Sequence, residues 1–116
     1  MIASPADSWS VHSLPMKSQD LKELKELQAW FAAQCNGSWE HEYGVKIETL
    51  DNPGWSFEAE LHGTRLQGRK FDEVNASRSE RDWVKCRVES ERFEGFGGPL
   101  NLEELIEIFL RWASDR

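Results

Sequence analysis

The sequence predicts an α+β fold with an N-terminal helix, a four-stranded antiparallel sheet and a C-terminal helix, both helices packed on one face of the sheet. Three observations predict it. Apolar residues recur at helical spacing near both ends, at Leu21, Leu24, Leu27 and Phe31 and again at Leu102, Leu105, Ile106, Phe109 and Trp112. Between them, Trp55 to Leu61 alternates apolar and polar at the period of a half-buried strand. An Asn52-Pro53-Gly54 turn joins that run to the one before it, which makes the pair a hairpin.

Residues 1–17 are rich in Ser, Pro and Ala and show no period, so they are expected to be a flexible tail. Met16 is an alternative start. Residues 18–116 then form one domain. Ser18 is placed to cap the first helix, whose apolar stripe runs through Leu21, Leu24, Leu27, Phe31 and Cys35 with Trp30 beside it. Asn36-Gly37 supplies a left-handed stop.

Gly44 to Leu50 is the first strand, with Val45, Ile47 and Thr49 on one face. In the second, Trp55, Phe57, Ala59 and Leu61 point inward, and Ser56, Glu58, Glu60 and His62 outward. Opposed side chains share a face, so the loop must hold an odd number of residues. A loop of Asn52, Pro53 and Gly54 opposes Ile47 with Ala59, Lys46 with Glu60, and Glu48 with Glu58. A third strand is expected within Leu66–Val74, a loop over Asn75–Arg81, and a fourth strand from Trp83 to Glu89, with an alternation that can be continued to Phe93. Gly95, Gly97, Gly98 and Pro99 break the chain before the last helix. There Asn101 and Glu104 have the spacing of a capping box, with Asn in place of Ser or Thr. The inward faces nominate Leu24, Phe31, Ile47, Phe57, Val84, Val88, Leu105 and Phe109 as core.

Composition narrows the class. The 116 residues suit a single core, and six tryptophans with six phenylalanines argue against wholesale disorder. No apolar run approaches the roughly 18 residues of a membrane span, and the N-terminus lacks the order of a secretory signal. Cys35 and Cys86 make no disulfide framework, which favours a reduced, cytoplasmic protein. A net charge of -7 speaks against nucleic-acid binding. The charge is uneven: residues 40–60 hold six acids (Glu40, Glu42, Glu48, Asp51, Glu58, Glu60) against Lys46 alone, whereas residues 61–92 hold eight bases and six acids. An acidic face steers a basic partner, although such clusters are more often solvated surface.

Candidate chemistry is thin. Cys86 and Arg92 have the Cys-x5-Arg spacing of a phosphate-binding loop, but the segment between them alternates like a strand, lacks glycine and carries two acids. A core cysteine is the better reading. His41 lies between Glu40 and Glu42, and neighbours on an extended chain point to opposite faces, which prevents them from sharing a metal ion. Trp39, Tyr43 and Trp55 are core by default, with Trp39 and Tyr43 the better placed for partial exposure. Glu48 and Glu58, if opposed on the outer face, need a cation: Lys85 or Arg87 from a neighbouring strand, or an Arg or Lys of a partner.

The ordered set Gln34-Cys35-Asn36-Gly37, Trp39-Glu40-His41-Glu42-Tyr43-Gly44, Asn52-Pro53-Gly54-Trp55, Thr64, Leu66, Asp82-Trp83 and Cys86, closed by a leucine-rich helix, resembles the bacterial immunity protein 53 family. The resemblance spans Leu21 to Trp112. It implies a protein that neutralises a cognate toxin of a polymorphic toxin system by binding it, without catalysis and without a cofactor. Joined to the charge pattern, it nominates Glu40, His41, Glu42, Tyr43, Glu48, Asp51, Glu58 and Glu60 as the surface that meets a basic toxin. The rival class is a small hydrolase or sulfurtransferase that uses Cys86 or the His41 region, and exposure of Cys86 discriminates between them.

Overall fold

A computed structural model describes residues 21–114. The expected tail and the Ser18 cap lie outside these residues. The elements are α1 (Lys22–Gln34), a one-turn helix α2 (Trp39–Glu42), β1 (Val45–Leu50), β2 (Gly54–Glu60), β3 (Val74–Ser79), β4 (Asp82–Glu89), β5 (Arg92–Gly97) and α3 (Leu102–Ser114). The fold is α+β with an antiparallel sheet, but the sheet has five strands, in the order β1-β2-β5-β4-β3. None of the helices among the described residues is long and apolar enough to cross a membrane.

The additional strand comes from the run read as an extension of the fourth. The chain reverses at Ser90 and Glu91, which both adopt positive φ (55° and 60°), and β4 pairs back onto β5. Two-residue hairpin turns of this kind usually declare themselves through Asn or Gly. Ser-Glu carries no such signal. Gly95 and Gly97, expected to break the chain, are buried inside β5. A Cβ at Gly95 would stand 3.3 Å from Leu105, and one at Gly97 3.1 Å from both Asn101 and the Trp83 carbonyl. Those glycines let α3 lie close to the sheet.

The third strand is displaced. Residues 66–73 form turns and irregular chain, and the segment expected as a loop, Asn75 onward, is β3. As an outer strand, β3 offers only Val74 and Ala76 to the core, so its alternation is too weak to see in the sequence. Leu66 is buried from the irregular segment, and Phe71 sets its ring against Phe93 and Trp112, both at 5.3 Å.

Helix α3 packs across β2, β5 and β4. Phe109 is the centre, with ring centroids 5.5 Å from Phe57, 5.1 Å from Phe93 and 4.9 Å from Trp30. Helix α1 packs on α3 and supplies Leu27 and Trp30 to the core. Phe57, Val84, Leu105 and Phe109 are buried as expected, and Val88 is partly buried. Leu24, Phe31 and Ile47 are not: they remain 49%, 38% and 38% exposed. The first two flank Leu27 on the α1 stripe, but α1 is an outer element that touches the core chiefly through Leu27 and Trp30. Ile47 belongs to a strand outside the main footprint of α3.

Candidate functional site

The β1–β2 hairpin keeps an odd loop, but the loop is Asp51-Asn52-Pro53, one residue earlier than the turn chemistry suggested. Gly54 is already in the strand. Its Cα lies against the Gly97 carbonyl with no room for a Cβ, so this glycine serves a close backbone approach rather than a positive φ. The shift leaves every side chain on its expected face but moves each pair by two residues. Ile47 opposes Phe57, Lys46 opposes Glu58, and Glu48 opposes Ser56. Glu48 and Glu58 are therefore not an opposed pair.

Across the outer face the register builds rows of charge. Lys46, Glu58, Glu94 and Arg87 stand side by side on β1, β2, β5 and β4, and in the next row Glu60, Arg92 and Glu89 do the same. Arg87 donates from Nε to Glu94 at 2.8 Å and lies 3.3 Å from Glu89. Arg92 lies 3.4 Å from Glu60, and Lys46 3.9 Å from Glu48. The hydrogen bond to Glu94 raises the Arg87 pKa. Five glutamates (Glu48, Glu58, Glu60, Glu89, Glu94) thus share the face with four cations (Lys46, Lys85, Arg87, Arg92). Of the acids in residues 40–60, Glu60 meets a cation from a strand distant in sequence, Arg92, and the cations of β4 and β5 bring the face as a whole close to balance. Arg87 answers Glu94 directly rather than Glu58.

The nominated residues are spread over the outer face of the hairpin, its tip and α2. Glu48, Glu58 and Glu60 lie on the outer face of the hairpin. Asp51 sits at the hairpin tip, roughly 25 Å along the chain from Tyr43 at strand spacing. Glu40, His41 and Glu42 lie in α2, which is helical rather than extended. Glu40 is engaged within its own turn, where its carboxylate accepts the Asn36 and Gly37 N–H groups at 2.9 and 2.8 Å. Backbone hydrogen bonds, its own amide first and then that of Asn36, hold its pKa below the usual carboxylate range. Gly37 has the expected positive φ, 94°, but α1 already ends at Gln34 with Cys35 extended, so the glycine turns the chain into α2 rather than stopping α1.

Trp39 is buried, in keeping with its default reading as core, and donates from Nε1 to the His62 carbonyl at 2.8 Å. Tyr43 is half-buried and stacks on His62 at 5.0 Å. His62 contacts Glu91 at 3.0 Å, and that contact, with a hydrogen bond from Gln67, lowers the Glu91 pKa. His41 and Glu42 are exposed. Successive residues in a helical turn diverge by about 100°, so Glu40, His41 and Glu42 do not converge on a common point.

Cys86 is fully buried, with its thiol pushed up to about 12 by burial first and by the charge of Glu104 second. It faces the core, whereas Arg92 faces outward from the next strand, so the two ends of the Cys-x5-Arg spacing point to opposite sides of the sheet. An inaccessible, protonated thiol is a poor nucleophile. Cys35 is exposed, and both cysteines are free.

Lys85 and Arg87, which the sequence offers as cations for Glu48 and Glu58, do lie on the outer face, and Glu89, Arg92, Glu94 and Phe96 join them there without having been nominated. Outward alternation in β4 was the available signal for Lys85 and Arg87; the unsuspected turn hid Arg92 and Phe96.

The pattern of a family described as immunity protein 53 matches residues 24–114. No curated protein and no solved structure matches the chain.

Proposed function

The chain belongs to the immunity protein 53 family, and we propose that it binds a cognate bacterial toxin and neutralises it by contact, without chemistry of its own. Family membership is the observation that carries this reading. The buried, protonated Cys86 supports it, because the thiol on which a rival hydrolase or sulfurtransferase would depend is out of reach. In this reading the partner is a protein with a basic surface. Glu48, Glu58 and Glu60 on the outer hairpin face meet it, with Asp51 and the His41–Glu42 turn at the rim. The supporting geometry is a rigid sheet that presents charges in fixed rows, which suits register and on-rate more than raw affinity. Free cysteines, one of them exposed, fit action in a reducing cytoplasm.

The test is co-expression with the product of the neighbouring toxin gene in the native genome. Survival of cells that carry both, death of cells with the toxin alone, and recovery of a stoichiometric complex are expected. Protection without a complex would overturn neutralisation by binding.

A further inference from the structure

We propose that β1 is a self-pairing edge through which two copies of this chain join their sheets into one. The sheet has two outer strands, and they differ. On β3 the register shifts between Ser77 and Ser79, and Arg78 is held by Asp82 at 2.9 Å and by Glu104 at 2.6 Å. Bulges and pinned charges of this kind blunt an edge. β1 has no bulge: its pairing with β2 runs without a break from Val45 to Leu50, and its Lys46–Glu48 pair at 3.9 Å lies along the exposed strand rather than tying it to another element.

Hydrogen-bond parity shows which groups of β1 are open. Glu60 donates to the Gly44 carbonyl at 3.0 Å, which places Gly44 in a hydrogen-bonded pair with β2. Bonded and non-bonded pairs alternate along an antiparallel ladder, so Lys46, Glu48 and Leu50 also turn their backbone groups toward β2. The N–H and C=O of Val45, Ile47 and Thr49 face away from it. Among the described residues, no strand pairs with that side.

Charge selects the occupant. Two copies related by a two-fold axis at Ile47 place Ile47 opposite Ile47, Val45 opposite Thr49, and Lys46 opposite Glu48 in both directions. All three residues whose backbone groups face away from β2 then fall in hydrogen-bonded pairs. The two Lys46–Glu48 contacts fall in non-bonded pairs, where opposed side chains come closest. Shifting by one pair either way would set Lys46 against Lys46 or Glu48 against Glu48. Lys46 guards the edge against other strands, yet with Glu48 two residues on it makes the strand complementary to itself. Ile47 supports the same register: it lies on the core side of the sheet, opposite Phe57, and is nevertheless 38% exposed. In the pair it meets its own copy.

A six-residue strand makes a small interface, so the dimer should be weak and concentration-dependent. The experiment is sedimentation equilibrium of the full chain over a wide concentration range, for wild type, Lys46→Glu, Glu48→Lys and the double exchange. Wild type should shift toward twice the monomer mass as concentration rises. Each single variant should weaken association at least tenfold, and the double exchange should restore it, because its charges are again opposed. Ile47→Pro removes a donor that points away from β2 and should give a folded monomer. A wild type that stays monomeric throughout, or a dimer indifferent to Lys46→Glu, would overturn the inference. So would failure of the double exchange to restore association. Protection of the β1 amides only on addition of toxin would assign the edge to a toxin strand and equally reject self-pairing.

Discussion

The side-chain amide of Asn101 donates to Oδ1 of Asp82 at 3.0 Å, which ties the start of α3 to the start of β4. The same amide accepts the Trp83 N–H at 3.3 Å and reaches Glu104 at 3.1 Å, and Glu104 in turn holds Arg78. Asn101 and Glu104 therefore do meet, but side chain to side chain. The side-chain carbonyl oxygen of Asn101 serves another element, and its backbone N–H goes to Gly98 at 3.1 Å rather than to Glu104.

Asn101→Ala should consequently behave as the loss of a buried junction, not of a helix cap alone. Asn101 is buried, and its removal strands the Trp83 N–H, while Asp82 and Glu104 each lose one donor and keep Arg78. A cost of about 1–3 kcal/mol is expected in urea unfolding. Asn101→Asp should be worse still, because a third carboxylate would join Asp82 and Glu104.

Phe57→Ala should cost about 3–5 kcal/mol, since the ring is fully buried between Phe93 and Phe109. Ile47→Ala, on the same face and directly opposite, should cost far less because its side chain is already open to water. Equal losses for the two would contradict the placement of β1.

Thiol titration separates the cysteines. Native protein at mildly alkaline pH should release one equivalent from Ellman's reagent, all of it from Cys35. Cys86 should react only after denaturation, because burial holds its pKa at about 12. Prompt labelling of Cys86 in the native state would return the enzyme reading to contention.

Glu103 carries a pH-dependent penalty. The charge of Glu23, and a hydrogen bond with it, raise the Glu103 pKa above its ordinary value. An acid with a raised folded pKa loses stability as pH rises through the carboxylate range and regains it on acidification. Glu103→Gln should therefore raise Tm slightly at neutral pH, and the gain should vanish once the carboxylates are protonated. The effect is small because the group is exposed.

Charge reversal tests the proposed toxin face. Glu58→Lys would repel Lys46 but attract Glu94, so Tm should hardly move. Association with toxin should slow, and its salt dependence should weaken. Unaltered affinity after joint reversal of Glu48, Glu58 and Glu60, in a folded protein, would exclude this face.

The sequence by itself determined the fold class, the inward face of β2, the parity of the hairpin loop, the positive φ of Gly37 and the burial of Cys86. Each depends on local period or local turn chemistry, which a chain cannot hide. Tertiary structure alone decided the rest. The Ser90-Glu91 reversal has no local signature and is held by pairing on both sides. Gly54, Gly95 and Gly97 are small because other elements approach them, a requirement that mimics a turn signal in one dimension. Register is likewise set by contact: once the close approach to Gly97 draws Gly54 into the strand, Lys46 rather than Glu48 faces Glu58. The acidity of residues 40–60 was a property of the chain, whereas the near-balance of the outer face belongs to the sheet. Strand pairing brings Lys85, Arg87 and Arg92 to the face that presents Glu48, Glu58 and Glu60, and Coulomb attraction acts through space, not along sequence.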